Sequence, residues 1–133
     1  MNEKVIGMGF HHIALKAYDF DKTLAFYKAL GLKEKVSWGS GDTRAVMLDM
    51  GDGGCIEIFA GGENREKVDE RFLHLAFKVD DVDFAYQTAI NAGATTYREP
   101  YEASPPDANP PIKMRVAFVY GPDGELLEFF KEV

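Results

Sequence analysis

The sequence contains a single cysteine, Cys55, so no disulfide can form within the chain, which suits a reducing compartment. It has no run of about 18 apolar residues, the length a membrane-spanning helix requires. Met1-Asn2-Glu3-Lys4-Val5 lacks the basic start and long apolar core of a secretory signal, and a cytoplasmic location is expected. Basic residues are in the minority, 15 Lys and Arg against 22 Asp and Glu, for a net charge of −7. Nucleic acid or an anionic membrane would need a concentrated basic face, so neither is an expected partner. Proline is sparse except in one stretch, residues 104–111, which holds four of the six. That stretch is expected to be a stiff surface loop, because proline donates no ladder hydrogen bond. The 133 residues, 46% hydrophobic and 28% charged, fit one globular domain with a small-molecule partner.

One pattern is used twice. His12-Ile13-Ala14-Leu15-Lys16 leads to Asp19 and a helical pattern ending at Gly31. His74-Leu75-Ala76-Phe77-Lys78 leads to Asp81 and a helical pattern ending at Gly93. The offsets agree, since 74 − 12, 81 − 19 and 93 − 31 are all 62. Each half also closes on a matching strand, Asp52-Gly53-Gly54-Cys55-Ile56-Glu57-Ile58-Phe59 against Asp123-Gly124-Glu125-Leu126-Leu127-Glu128-Phe129-Phe130. The offset there is 71, so the second half carries about nine extra residues, in a segment that includes the proline-rich loop.

In chain order, Met8 to Ala17 reads as a strand with His12, Ala14 and Lys16 on one face and Ile13 and Leu15 on the other. Asp19 or Asp21 can cap the helix bearing Phe20, Leu24, Tyr27 and Leu30, which stops at Gly31. Strands are expected at Leu32–Trp38, Arg44–Met50 and Cys55–Ala60, with Gly39–Asp42 turning the first hairpin. Gly61-Gly62-Glu63-Asn64 and the charged run to Arg71 read as the linker. The second half repeats the order: strand Phe72–Val79, helix Val82–Ala92, then strands near 95–101, 112–120 and 125–131. The fold class is therefore α+β, one domain built of two βαβββ modules, about 8–61 and 71–132. The two sheets are expected side by side, helices outside, enclosing a cup.

Alternation places Ile13, Leu15, Ile56 and Ile58, with Leu73, Leu75, Phe77, Leu127 and Phe129, on the helix-covered side. His12, Glu57, His74 and Glu128 fall opposite, and internal symmetry would bring them together. Imidazole nitrogen and carboxylate oxygen suit zinc, nickel, cobalt, iron or manganese, so one divalent metal ion is expected there. His11 points to the other face and aligns with Leu73, and it receives no ligand role. Cys55 shares a face with Glu57 but reads as a small buried thiol.

These residues resemble the vicinal oxygen chelate superfamily, and within it most closely glyoxalase I, lactoylglutathione lyase. The resemblance rests on His12 seven residues before Asp19, Leu24-Ala25-Phe26-Tyr27 with Leu30-Gly31, Glu57, His74, and Gly121-Pro122-Asp123-Gly124 ahead of Glu128. It implies paired βαβββ modules, a homodimer, and a metal site of His12, Glu57, His74 and Glu128, with nickel, cobalt and zinc the leading identities. It implies Glu128 as the catalytic base and Glu57 as ligand or second base. Lys16 and Phe59 are the candidates for substrate binding. The sequence departs from glutathione-dependent relatives at Lys16, where they resemble one another in Arg, and at Gly61, where they have Asn.

The implied reaction isomerises a 2-oxoaldehyde–thiol hemithioacetal to a 2-hydroxyacyl thioester. A metal-stabilised enediolate forms as a Glu moves the proton between neighbouring carbons. The alternatives are an acyl-CoA epimerase, whose members resemble one another in a Gln at position 57, and a resistance-type module binding a cationic small molecule without catalysis. A ring-cleaving dioxygenase needs only two His and one carboxylate, and the fourth candidate ligand argues against it.

Overall fold

Each module turns into its helix at an aspartate and leaves it at a glycine. Asp19 Oδ1 accepts a hydrogen bond from Lys22 N at 3.1 Å and Asp81 Oδ1 from Phe84 N at 3.0 Å, satisfying helix amides that lack a partner in the first turn. Gly31 (φ 98°) and Gly93 (φ 109°) take the left-handed conformation that ends the helix. The computed structural model describes residues 3–4, 10–64, 74–106, 108 and 110–133. Its elements run β1 (His12–Lys16), α1 (Phe20–Ala29), β2 (Lys33–Trp38), a 3₁₀ turn (Gly41–Thr43), β3 (Ala45–Asp49), β4 (Cys55–Phe59), β5 (Leu75–Lys78), α2 (Val82–Asn91), β6 (Thr95–Ala103), β7 (Met114–Tyr120) and β8 (Leu126–Glu132). The twofold βαβββ order is the expected one.

The strands form two four-stranded sheets, β1-β4-β3-β2 and β5-β8-β7-β6. In each, the first strand lies parallel to the last and the remaining pairs are antiparallel. Alternation places the apolar face as expected. Ile56 and Ile58 are fully buried beneath Phe20 and Tyr27, each contributing roughly 1.5–3 kcal/mol by its removal from water. Leu127 and Phe129 take the same role beneath Val82 and Ala89.

The expected pairing of the two βαβββ modules is formed, and the modules meet through their helix-covered sides. The helix-covered sides of both sheets merge into a single apolar cluster in which α1 meets α2. A ten-residue helix is too small to cover a four-stranded sheet alone, so each module uses the other as additional cover. Within one chain the two open faces therefore do not close on a common cup.

The smaller corrections lie at module ends. β1 begins at His12, and the expected start at Met8 lies outside the described residues, as do Phe72 and Leu73 before β5. Gly62 belongs to the first module rather than the linker: its N–H donates to Ala17 O at 2.9 Å, and a Cβ there would stand 2.8 Å from the Ala17 carbonyl carbon. Residues 65–71 of the expected linker lie outside the described residues. The described part of the proline-rich loop is mostly exposed and lacks regular structure. Among the described residues no helix is long and apolar enough to cross a membrane.

Candidate metal centre

His12 opens β1 and Glu57 lies mid-way along β4, next to it in the sheet. His12 Nε2 is 3.9 Å from Glu57 Oε1. His74, directly before β5, and Glu128 on β8 repeat the arrangement, with His74 Nε2 2.9 Å from Glu128 Oε2. Each pair stands on the helix-free face of its own sheet. The carboxylates are largely withdrawn from water, with side chains 12% and 11% exposed, while the imidazoles reach outward at 37% and 36%. Burial pushes the Glu128 carboxyl above its ordinary value, and the adjacent His74 opposes that rise.

The expected convergence of all four on one point is not formed within one chain. Among the described residues, no three His, Cys, Asp or Glu side chains lie close enough together to hold one ion. The donor chemistry of each pair fits a divalent cation, one imidazole nitrogen with one carboxylate oxygen. Each pair presents two such donors.

Three neighbours complete the picture. His11 Nδ1 lies 2.8 Å from His12 Nδ1, so one ring donates to the other and the His12 Nε2 side is the one turned toward Glu57. His11 directly precedes β1, and its carbonyl oxygen accepts from Cys55 N at 2.9 Å. Lys16 pairs in register with Phe59, two residues beyond Glu57 along β4, and Phe59 meets the Trp38 ring edge-on at 6.3 Å. In the second module Phe118 stands in register with Glu128, its ring 5.6 Å from His74, with Tyr97 6.0 Å from Phe118. Both pairs thus border aromatic surface. Phe118 is an ordinary strand residue of β7 in the sequence, and its nearness to His74 follows only from the register.

Cys55 is buried, as expected. Gly61 takes φ 85°, and a side chain there would crowd Asp42 O at 3.3 Å, which accounts physically for glycine at that turn. A cleft of about 740 Å³ between the modules is lined by Phe10, Leu32, Met50, Phe77 and Phe84. None of the four candidate ligands borders it.

Two βαβββ modules, each carrying a His–Glu pair on an open sheet face, define a paired-module protein. The chain belongs to the Glyoxalase/Bleomycin resistance protein/Dioxygenase superfamily, whose family model matches residues 9–129. It is 30% identical over 131 residues to the uncharacterized protein YraH of Bacillus subtilis (strain 168), covering 90% of this chain and 94% of that one. Among solved structures it is similar to the genomically encoded fosfomycin resistance protein FosX from Listeria monocytogenes, with TM-score 0.67, 22% identity and 92% of each chain covered. A FosX variant in complex with Mn(II) and 1S,2S-dihydroxypropylphosphonic acid matches with TM-score 0.66 and 25% identity, covering 94% of this chain and 90% of that one.

Proposed function

We propose that the protein is a metal-dependent isomerase of glyoxalase type whose centre is assembled by two chains. His12 and Glu57 of one chain face His74 and Glu128 of a second in a twofold homodimer. The observation that carries this reading is the pair geometry: two equivalent His–Glu half-sets on open faces, each lacking two donors that the other kind of module supplies. A twofold pair of chains would bring one of each together, twice.

A divalent ion held by these residues supplies Lewis-acid stabilisation of adjacent substrate oxygens. The residues of the chain do the remainder. Glu128 takes the proton from the hemithioacetal carbon that bears oxygen and sulfur and returns it to the neighbouring carbon. The hemithioacetal hydroxyl passes its proton to the former carbonyl oxygen, so the carbonyl becomes the hydroxyl and the thioester forms with no net loss of atoms or electrons. Its partial burial suits this role, because a carboxylate shifted above its ordinary value is a stronger base. His74, 2.9 Å away, is its neighbour in the same half-set. The aromatic surface beside both pairs excludes water from the reacting atoms, and Lys16 offers a point charge to an anionic end of the substrate.

The test is turnover of methylglyoxal hemithioacetals, made with glutathione and then with other cellular thiols, by protein loaded with nickel, cobalt, zinc or manganese. Thioester formation with one metal per half-set pair is the expected result. Absence of both stoichiometric metal and turnover would overturn the reading. A second reading, metal-assisted opening of a small oxygen-bearing phosphonate, draws on the similarity to the FosX complex with Mn(II) and a dihydroxyphosphonate. Fosfomycin as substrate in the same assay separates the two.

A further inference from the structure

We infer that Asp123 and Glu125 are positioning residues, forming a polar brace that sets the angle between the two modules and so the placement of the two His–Glu pairs. The part of this that concerns the pairs rests on the function proposed above. The brace joins the turn between β7 and β8 to α1, about 100 positions away in the chain. Asp123 Oδ1 accepts from Tyr18 N at 2.8 Å, and its Oδ2 accepts from Thr23 Oγ1 at 2.7 Å. Glu125 Oε2 accepts from Tyr27 Oη at 2.8 Å. Thr23 and Tyr27 are one helical turn apart, so they present their hydroxyls on one face, and both are fully buried.

The turn holds its own shape for this contact. Glu125 Oε1 accepts from Asp123 N at 2.9 Å, and Gly121 N donates to Glu125 O at 2.9 Å. A Cβ on Gly121 would overlap the Glu125 carboxylate, so glycine at that position leaves room for it. Apolar contact between α1 and α2 is non-directional and permits the modules to rotate against one another. Three hydrogen bonds from two carboxylates are directional and select one rotation. Glu128 follows Glu125 by three residues on β8, so the brace anchors the strand that carries the proposed base. In a twofold dimer, the angle between modules decides whether His12 and Glu57 of one chain reach His74 and Glu128 of the other.

The test uses full-length Tyr27→Phe, Thr23→Val and Asp123→Ala, with Asp123→Asn as the conservative variant. Inter-module orientation is read from NMR residual dipolar couplings, and affinity for Mn(II) alone from titration calorimetry. The first two variants keep the shape and packing of the buried side chains, so they serve if Asp123→Ala fails to fold. The expected result is a changed module orientation and about tenfold weaker Mn(II) binding for each lost hydrogen bond, with partial recovery in Asp123→Asn. Unchanged orientation in Tyr27→Phe and Thr23→Val overturns the brace, even if thermal stability falls. If wild-type protein binds no Mn(II), the proposed metal centre fails. A rotated orientation in the variants would then support the brace by itself.

Discussion

His74 Nε2 and Glu128 Oε2 lie within hydrogen-bond distance at 2.9 Å, whereas the equivalent atoms of His12 and Glu57 are 3.9 Å apart. The internal repeat therefore places two chemically matched pairs in two different states. The tighter pair holds Glu128, whose proton affinity is raised by burial. In the proposed reaction this asymmetry agrees with Glu128 as the group that moves the proton and Glu57 as its companion.

Substituting Glu128→Gln separates these roles. Gln keeps an oxygen at nearly the same place and fills the same volume, but it cannot take a proton near neutrality. Turnover should fall by roughly 10²- to 10⁴-fold, with metal content lowered only in part and the melting temperature nearly unchanged. His12→Ala removes a proposed ligand outright, so metal content and turnover should drop together. Metal analysis and steady-state rates on the two variants check this. Equal metal loss in both would assign Glu128 to coordination alone.

Burial pushes the Glu125 carboxyl up from 4.5 to about 7; the Tyr27 hydrogen bond opposes the rise and the charge of Asp123 adds to it. Burial, with the same carboxylate beside it, also raises the Tyr27 hydroxyl well above its ordinary value. The folded-state value of Glu125 lies above the unfolded one. Its contribution to stability is therefore fully present below about pH 4.5 and is lost as the pH rises through about 7. The difference corresponds to roughly 3 kcal/mol at most. In Glu125→Gln this dependence should vanish, so the stability of wild type relative to the variant should decline across that window. Urea unfolding at several pH values measures it, and a constant difference would rule out the shift.

The βαβββ order, the first helix cap as one of two aspartates, and the inward faces of the strands were legible because they depend on local rules. Asp19 and Asp81 cap, Gly31 and Gly93 stop, and alternation separates Ile56 and Ile58 from Glu57. The mutual packing of the modules was not legible. Alternation tells which face of a strand is apolar, but not which element of which module covers it. The same is true of the brace: Gly121-Pro122-Asp123-Gly124 reads as a turn, and nothing local reveals that Asp123 will meet Thr23. Of the site, the identity of the two pairs followed from the repeat, while their separation within one chain followed from packing alone.

Gly62 offers a test of the module boundary. Its amide bonds to Ala17 O at 2.9 Å, and a methyl group there would press on the Ala17 backbone, which cannot yield as a flexible side chain would. Gly62→Ala should destabilise the chain by about 1–3 kcal/mol, as overpacking does. Gly31→Ala, by contrast, meets no atom within 4 Å, and its cost should come from the left-handed backbone alone. Comparing the denaturation midpoints of the two variants separates crowding from backbone strain.

The division of the ligands between modules can be tested by mixing two inactive proteins. His12→Ala spoils the first-module half-set and leaves the second intact, and Glu128→Ala does the reverse. If each centre takes one half-set from each chain, a mixed dimer has one centre with both faults and one with none. Random re-association makes half of the dimers mixed, and each regains one centre of two, so about a quarter of wild-type activity should return. A centre closed within a single chain would stay faulty in every combination, and mixing would restore nothing. The experiment requires that the chains exchange, which mild denaturation and refolding of the mixture ensures. Sedimentation supplies the accompanying check: a dimer has twice the 14.8 kDa mass of the chain. A species of single-chain mass that nevertheless turns over substrate would refute the shared centre directly.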